Sequence, residues 1–319
     1  MSSPDLEAFS SSEAVERSRL LALPEPAPEG HRSGIVCLAG RPNVGKSTLL
    51  NAMVGSKIAI VTPVPGTTRN VIRGVVTRDD AQLVFVDTPG VAKPRSLLSR
   101  RLNDLVHRTW HAVDAVCFLV DGAAGIGRGD EFIAGELRGS AAPVVLVVNK
   151  QDALGRDAIL PVLERAATLG DWPVVPTSAT TGANVDHLID VLVELVPEGP
   201  RLFPRGVVTD QPERQLAAEI IREKFLVRVS EEVPHSIAVV VDELEWDDEL
   251  LRVTASVFVE RDSQKGIVIG KGGHVLREAN TRAREELEAL FAAKVFLDVH
   301  VKVAPGWQRD PRRLERFGY

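Results

Sequence analysis

The chain has 319 residues and a formal net charge of −6 at pH 7, which is long enough for two domains that each bury a core. The acidic balance excludes a protein that coats nucleic acid indiscriminately, but it leaves room for local basic patches. No uncharged apolar run is long enough to span a bilayer. The N-terminus lacks a basic segment followed by an apolar one, so export is not expected and the cytoplasm is the predicted location. Cys37 and Cys117 both fall in apolar runs, which predicts small buried side chains and no disulfide or metal framework.

Residues 1–33 differ in composition from the rest of the chain. They are rich in Ser, Pro, Glu and Ala, which predicts a disordered extension with a transient helix over residues 12–23. From residue 34 to residue 197, short apolar runs alternate with helix-like stretches. The runs are Ile35–Ala39, Leu83–Val86, Ala115–Val120, Val144–Val148 and Val174–Val175. This alternation predicts a mostly parallel, doubly wound α/β sheet, with Val71–Thr77 pairing antiparallel to Leu83–Val86.

A glycine-rich loop follows the first apolar run and precedes a helix-like segment. Its residues are Gly40, Arg41, Pro42, Asn43, Val44, Gly45, Lys46 and Ser47, and Thr48 continues into the helix. The glycines let backbone N–H groups converge on one anion, and the helix N-terminus adds the positive end of its dipole. Lys46 is predicted to reach the β- and γ-phosphates, and Ser47 to ligate Mg²⁺. This strand–loop–helix order predicts a site for a nucleoside triphosphate.

Two further loops are expected at the phosphate end of this site. One follows a predicted strand and consists of Asp87, Thr88, Pro89 and Gly90, with Val91 after them. Asp87 suits Mg²⁺ binding through a water, and the Gly90 N–H can approach the γ-phosphate without a clashing side chain. The other loop, Val64–Arg69, contains two threonines, and a loop threonine can ligate Mg²⁺ and carry the γ-phosphate signal into a mobile segment. Thr68 is the preferred candidate, for catalysis as for Mg²⁺, and Thr67 is the alternative.

The base is expected to be read by two more loops at the carboxyl edge of the sheet. The first consists of Asn149, Lys150, Gln151 and Asp152, and the second contains Ser178 and Ala179. The Asp152 carboxylate can accept hydrogen bonds from guanine N1–H and the 2-amino group, whereas adenine would leave it unpaired. Lys150 would pack over the base, Asn149 would brace the loops, and a backbone N–H of the second loop could contact guanine O6. Together the four loops predict binding of a guanine nucleotide and Mg²⁺.

The C-terminal part of the chain has a different organisation. Residues 198–209 contain prolines and glycines and are predicted to be a linker. The order that follows is a helix over Asp210–Val227, strands over Ile237–Val241 and Leu251–Val259, two helical segments, and a last strand over Val295–Val303. This α-β-β-α-α-β order predicts a smaller α+β domain over residues 210–303, a type II K-homology (KH) RNA-binding module. Residues 304–319 are left as a C-terminal tail.

The two helical segments of this module are joined by a G-x-x-G loop. The loop consists of Gly270, Lys271, Gly272 and Gly273, and such a loop lets a phosphodiester backbone approach closely. Between Arg261 and Arg284 six basic residues stand against two acids, including Lys265, Lys271 and Arg277, and these are the predicted RNA contacts. Asp242–Glu249 holds six acids and must lie away from RNA. The acidic total is therefore compatible with one focused basic face.

A P-loop GTPase domain followed by a KH module resembles the Era family of bacterial ribosome-assembly GTPases. The resemblance also covers Glu219–Lys224 and the closing Val301-Lys302-Val303…Gly306-Trp307. It implies a cytoplasmic protein that binds GTP and GDP, contacts the 3′ end of 16S rRNA and the maturing 30S subunit, and associates peripherally with the inner face of the cell membrane. It implies no DNA partner. Two features depart from it: residues 1–33 lie outside it, and Thr180 stands where the family has lysine.

The residue after Gly90 raises a question about hydrolysis. Many GTPases place a glutamine there to orient the attacking water, whereas Val91 cannot. The intrinsic rate is therefore expected to be slow. The chain is similar in this respect to GTPases with an apolar residue at this position, several of which use K⁺ and a P-loop asparagine. Asn43 is placed for that role, and bracing of the loop by Asn43 remains an equal alternative.

Three other functions are left open by the motifs. The chain could be an RNA-binding scaffold in which GTP is a structural ligand. It could be a sister GTPase that acts on tRNA or the large subunit, although Gly270–Gly273 argues against that. It could be a P-loop small-molecule kinase, which Asn149–Asp152 disfavours.

Overall fold

A computed structural model describes residues 26–91, 96–110, 112–155, 158–229 and 233–319. The helix predicted over residues 12–23 lies outside these ranges. The strands are β1 Arg32–Gly40, β2 Ile72–Thr77, β3 Ala81–Asp87, β4 Ala115–Asp121, β5 Val144–Asn149, β6 Val174–Pro176, β7 Ala238–Asp247, β8 Leu250–Val259 and β9 Lys294–Val303. The helices are α1 Lys46–Val54, α2 Leu97–Trp110, α3 Arg128–Leu137, α4 Ile159–Ala167, α5 Val185–Leu195, α6 Glu213–Leu226, α7 Val233–Ser236, α8 Asp262–Ile269, α9 His274–Phe291 and α10 Pro311–Arg316. Among the described helices, none combines the length and the apolar character needed to cross a membrane.

The N-terminal domain is built on a six-stranded sheet in the order β2-β3-β1-β4-β5-β6. Every residue of β3, β4 and β5 is buried, as continuous apolar strands are when helices cover both faces of a parallel sheet. β2 is antiparallel to β3, while the other neighbours are parallel. The predicted doubly wound sheet and its antiparallel hairpin are therefore confirmed. The carboxyl ends of β1, β3, β4 and β5 meet at one edge, where the predicted ligand loops emerge.

The C-terminal domain packs α6, α8 and α9 on a three-stranded sheet in the order β7-β8-β9. β7 and β8 are antiparallel, and β8 and β9 are parallel, which confirms the α-β-β-α-α-β order. α6 begins at Glu213 and not at the predicted Asp210, because Pro212 restricts the residue before it to extended conformations. β7 runs on to Asp247, well past the predicted Val241, so most of the acidic segment belongs to a long hairpin.

The segments at the predicted domain boundaries are packed against the N-terminal domain. The buried side chain of Gln82 in β3 accepts hydrogen bonds from the N–H groups of Leu202 and Phe203. Further along, the Val75 N–H donates to the Val208 carbonyl at 2.9 Å. The stretch predicted as a linker is thus attached along the β2–β3 hairpin, because its backbone finds partners there.

The last residues of the chain, predicted as a tail, are folded onto both domains. Trp307 is fully buried, and its Nε1 donates to the Ser236 carbonyl at 2.9 Å. Phe317 stacks on Phe258 of β8, and Leu98 of α2 belongs to the same apolar cluster. This cluster therefore joins the C-terminal domain to a helix of the N-terminal domain.

Both cysteines occupy buried strands, as predicted. Cys37 lies in β1 and Cys117 in β4, and each is fully buried. Burial raises the pKa of the Cys37 thiol to about 12 and raises that of Cys117 further. Since the thiolate is the reactive form, both side chains serve as small packing groups.

Candidate nucleotide and RNA sites

The loop between β1 and α1 has the glycines that its conformation requires. Gly45 has φ 101°, and a Cβ there would lie 2.3 Å from Asn149 Nδ2. Gly90 has its own constraint, because a Cβ there would lie 2.6 Å from the backbone nitrogen of Pro42. Each glycine thus lets one loop approach another without a clash. The loops 40–48 and 87–91 are in contact, as a site for a triphosphate requires.

Lys46 is buried at the start of α1, and its ammonium group lies over the loop. Its Nζ donates to the carbonyls of Gly40 and Arg41 at 3.1 and 3.0 Å. Burial lowers the pKa of this ammonium group, and the nearby Asp87 carboxylate opposes that shift. A buried cation whose hydrogen bonds within the described residues go to neutral carbonyls is well placed to exchange them for phosphate oxygens.

Three oxygen-bearing side chains converge beside Lys46. Asp87 Oδ2 accepts a 2.6 Å hydrogen bond from Ser47 Oγ and a 3.4 Å bond from Thr68 Oγ1, and the two hydroxyl oxygens lie 3.0 Å apart. Asp87 Oδ1 is buried without a hydrogen-bond partner among the described residues, and burial raises the pKa of this carboxyl. Hydroxyl and carboxylate oxygens are the ligands that Mg²⁺ prefers. The three side chains and the unpaired oxygen fit a Mg²⁺ ion.

The geometry distinguishes the two threonines that the sequence left as alternatives. Thr67 Oγ1 lies 2.5 Å from Thr62 Oγ1 and 2.7 Å from the Val64 carbonyl, so it stabilises the turn of its own loop. Thr68 Oγ1 faces Ser47 and Asp87. The structure therefore favours Thr68 over Thr67 as the metal ligand.

The loops predicted to read the base are braced by Asn149. Its Nδ2 donates to the Val44 carbonyl at 2.9 Å, and its Oδ1 accepts from the Ala179 N–H at 3.0 Å. Lys150 has φ 65°, and its Nζ lies 2.8 Å from the Asn43 carbonyl and 2.6 Å from Asp121 Oδ2. Asn149 thus connects the loop 40–48 to the loop that contains Ala179. Asp121 is a contact of this site that the sequence motifs did not identify. Its position directly after the Ala115–Val120 run could have indicated it, and in the sheet it is in register with Asn149.

The other residues of these loops make fewer of the contacts expected for recognition of a base. Asp152 is exposed, so its carboxylate is free to meet a ligand edge. Gln151 begins a single 3-10 turn and donates its N–H to the Thr177 carbonyl at 3.0 Å. Ser178 Oγ accepts from the Thr181 N–H. Because the Ala179 N–H is bonded to Asn149, contact with guanine O6 would require that bond to be shared or exchanged.

Between the loops lies a cavity of 440 Å³. It runs from the glycine-rich loop to the segment 60–68, and Lys150 lies at one side. Its lining includes Asn43, Lys46, Ser47, Thr68 and Gly90. Asn43 has φ 64°, and its Nδ2 donates to the Pro63 carbonyl at 2.7 Å, which ties the loop to that segment. Val91 packs against the apolar cluster beneath the sheet edge.

The G-x-x-G loop of the C-terminal domain is open to solvent. Gly270, Gly272 and Gly273 all have positive φ, between 63° and 75°. A Cβ at Gly272 or Gly273 would meet nothing within 4 Å, whereas one at Gly270 would lie 2.6 Å from Val275 Cγ2. Lys271 is exposed, and Arg277 donates to the Gly272 carbonyl at 3.1 Å. The loop therefore presents bare backbone beside two cations, which suits a phosphodiester chain.

The β7–β8 turn lies at the opposite end of β8 from the start of α8, the helix that leads to this loop. Asp247 ends β7, Asp248 and Glu249 form the turn before β8, and α8 begins beyond the other end of that strand, after Val259. Lys265, on α8, belongs to the basic side. A ten-residue strand is roughly 33 Å long, so the acidic turn is well separated from the start of α8.

Comparison with known families matches both domains. Residues 35–150 match the family described as "50S ribosome-binding GTPase", and residues 232–308 match the KH domain family. Fold and site thus define a P-loop GTPase joined to a KH domain.

The particular family follows from full-length relatives. The chain is 48% identical over 308 residues to the GTPase Era of Streptomyces coelicolor, covering 92% of this chain and 97% of that protein. It is 51% identical over 295 residues to the GTPase Era of Mycobacterium avium, covering 90% and 99%. The chain belongs to the Era family of GTPases, as its motifs predicted.

Two solved structures of the family have the same two-domain fold. One is Era in complex with MgGDPNP and nucleotides 1506–1542 of 16S ribosomal RNA, with a TM-score of 0.86 and 38% identity over 91% of this chain and 99% of that one. The other is a tyrosine-to-alanine variant of Aquifex aeolicus Era bound to GDP·AlF₄⁻, with a TM-score of 0.86 and 38% identity over 90% and 99%.

Proposed function

We propose that this GTPase is a nucleotide-controlled switch that binds the 3′ end of 16S rRNA through its KH domain and assists assembly of the 30S subunit. The solved relative that holds both MgGDPNP and nucleotides 1506–1542 of 16S rRNA supports this proposal. GTP is the substrate, and GTP binding favours the RNA-bound state. Hydrolysis to GDP accompanies release from the subunit.

One observation carries the proposal. Arg69, the residue directly after Thr68, is anchored in the KH domain. Its guanidinium group donates to the carbonyls of Ile237 and His235 at 2.6 and 2.9 Å. It also lies 5.7 Å from the ring centroid of Trp307 and 5.6 Å from that of Tyr319. Arg69 is 4% exposed, so it cannot leave this position without losing these bonds. A movement of the nucleotide loop is therefore transmitted to the RNA-binding domain.

The residues of the nucleotide site have the following proposed roles. The N–H groups of the loop 40–48 and the Lys46 ammonium group bind the phosphates. Ser47 and Thr68 would hold Mg²⁺ directly and Asp87 through water, and the ion would supply positive charge against the β- and γ-phosphates. The Gly90 N–H faces the γ-phosphate, and Asp152 selects guanine. The Val91 side chain offers no hydrogen bond to the attacking water, so hydrolysis is slow until another component raises its rate.

A potassium ion is our proposal for that component. The Asn43 Nδ2 already bonds to the Pro63 carbonyl, which leaves its Oδ1 as the atom that could join a K⁺ ion beside the phosphates. The rate of GTP hydrolysis is expected to be slow in Na⁺ and to rise in K⁺, and Asn43→Ala should lose most of that rise. Equal single-turnover rates in the two salts would exclude K⁺ and leave bracing as the role of Asn43.

The main competing function is an RNA-binding scaffold that holds GTP as a structural ligand. The two can be separated by titrating a non-hydrolysable GTP analogue with and without an RNA fragment that ends in the 16S 3′ sequence. If GTP tightens RNA binding, RNA must tighten GTP binding by the same factor. Absence of coupling in both directions would contradict the switch and support the scaffold.

Association with the membrane surface is a separate proposal that only the family resemblance supports. Flotation of the protein with vesicles of anionic and of neutral lipids tests it, and recovery with neither would refute it.

A further inference from the structure

The segment Glu219–Lys224 of α6 carries three charged side chains that are buried. Glu219, Arg222 and Glu223 are between 1% and 5% exposed. Charged side chains are rarely buried unless they are paired. Arg222 and Glu223 find partners in the nucleotide-binding domain, on the segment that leads to Thr68, and this gives the helix a role beyond the fold of the KH domain.

Arg222 makes the central contact. Its Nη2 donates to the Thr67 carbonyl, the backbone group directly before Thr68. The same guanidinium group is held by Glu219, with Nε at 3.0 Å from Oε1 and Nη2 at 2.6 Å from Oε2. Two parallel bonds to one carboxylate fix the plane of the guanidinium group. Its contact with Thr67 is therefore made by a preoriented donor.

Glu223 holds the beginning of the same segment. Its Oε1 accepts a 3.0 Å hydrogen bond from the Val61 N–H, and its Oε2 accepts a 2.7 Å bond from Lys57 Nζ. Burial acts to raise the pKa of this carboxyl, but hydrogen bonds from Lys224 and Lys57 outweigh it and lower the pKa, so Glu223 stays ionised. Ile60, between these two contacts, belongs to the apolar core of the KH domain.

Thr68 is thus enclosed by residues that the KH domain holds. Thr67, on one side, is bonded to Arg222, and Arg69, on the other side, is bonded to the carbonyls of residues 234, 235 and 237. Thr68 itself is 9% exposed and faces Ser47 and Asp87. The position of Thr68 at the metal site therefore depends on contacts with the KH domain.

We propose that Arg222 of the KH domain is a positioning residue for the metal site, holding the Thr67 carbonyl so that Thr68 Oγ1 is directed at Mg²⁺. This inference rests on the proposed role of Thr68 as a metal ligand. The inference gives the Glu219–Lys224 segment a role in controlling Mg²⁺ affinity. It also means that the position of the KH domain affects how tightly the GTP-bound site closes.

The test uses the full chain and measures dissociation of a fluorescent GTP analogue over a range of Mg²⁺ concentrations. Arg222→Lys keeps a positive charge beside Glu219 but lacks the terminal Nη2, which bonds to both Glu219 Oε2 and the Thr67 carbonyl. The Mg²⁺ concentration needed for half-maximal retention of the analogue should rise about tenfold, the effect of losing one hydrogen bond to a charged group. Dissociation in the presence of EDTA should not change. The control is Arg228→Lys, because Arg228 pairs with Glu278 inside the KH domain at 2.8 Å.

A double-mutant cycle with Thr68→Ala separates this inference from the function on which it rests. If Arg222 acts through Thr68, Arg222→Lys should change Mg²⁺ dependence little in the Thr68→Ala background. The positioning role is refuted if Arg222→Lys changes the Mg²⁺ dependence as much in the Thr68→Ala background as in the wild type. It is also refuted if Thr68→Ala changes the Mg²⁺ dependence and Arg222→Lys alone does not. In both cases the metal site stands. If Thr68→Ala has no effect, the metal assignment itself fails, and the inference fails with it.

Folding of the variant is checked by thermal unfolding and by RNA affinity without nucleotide. If Arg222→Lys does not fold, the pair Glu219→Gln/Arg222→Gln replaces it, since two neutral side chains avoid an unpaired buried charge. The same shift in Mg²⁺ dependence is expected, and its absence in a folded double variant overturns the proposal.

Discussion

Replacing Asp152 by Asn is expected to change the base preference of this GTPase from guanine to xanthine. In the proposed site the carboxylate would accept from guanine N1–H and the 2-amino group, whereas the amide would present a donor where guanine also has one. Xanthine carries an oxygen at that position and can accept from the amide. Because a site built for hydrogen bonding strongly rejects a ligand that leaves its polar groups unpaired, GTP affinity should fall by about 100-fold or more, and xanthosine triphosphate should bind more tightly than GTP.

Equilibrium titration of both nucleotides with both proteins checks this expectation. Asp171→Asn is a matched control, because Asp171 is exposed and precedes β6, at the edge of the sheet opposite the nucleotide loops. It should leave both affinities unchanged. An Asp152→Asn protein that still prefers GTP would remove Asp152 from the base site.

Replacing Gly272 by Asp is expected to abolish most RNA binding. Gly272 has φ 63°, a left-handed conformation that glycine adopts most readily, and the new carboxylate would stand where the loop is expected to receive phosphates. RNA affinity should fall at least tenfold, about 1.4 kcal/mol. GTP-analogue affinity without RNA should be preserved, because Gly272 is not part of the described nucleotide cavity. Coupling between RNA and the GTP analogue should disappear with the RNA affinity.

Gly272→Asn separates charge from crowding, since Asn is nearly the same size as Asp, is neutral and tolerates positive φ. Binding of an RNA 3′-end fragment to the three proteins should follow the order wild type, Asn, Asp. Equal binding by Gly272→Asp and wild type would show that the G-x-x-G loop does not hold the RNA backbone. Equal loss in both variants would assign the effect to backbone conformation.

The sequence was sufficient for features that a short stretch of chain determines. A P-loop needs a strand, two glycines, a lysine and a helix start within a few residues, and all of these stand together in Gly40–Ser47. Asp87–Gly90, Asn149–Asp152 and Gly270–Gly273 are likewise local loops whose backbone and side-chain chemistry can be read in order. Alternating apolar runs indicated the strands of the sheet, because parallel strands buried on both faces are continuously apolar. The pairing of the two domains and the family followed from these motifs.

Only the tertiary structure shows the contacts between residues that are far apart in the chain. The sequence could not choose firmly between Thr67 and Thr68, because adjacent side chains of one type differ only in direction, and the direction comes from packing against Ser47 and Asp87. It left residues 304–319 as a tail, because the aromatic contact between Trp307 and Phe317 is buried only when β8 and α2 are assembled around it. It assigned no role to Arg222, whose partner Thr67 is 155 positions away. A buried charge in a helix is explained only by the groups that meet it, and one of the groups that meet Arg222, the Thr67 carbonyl, lies on another domain.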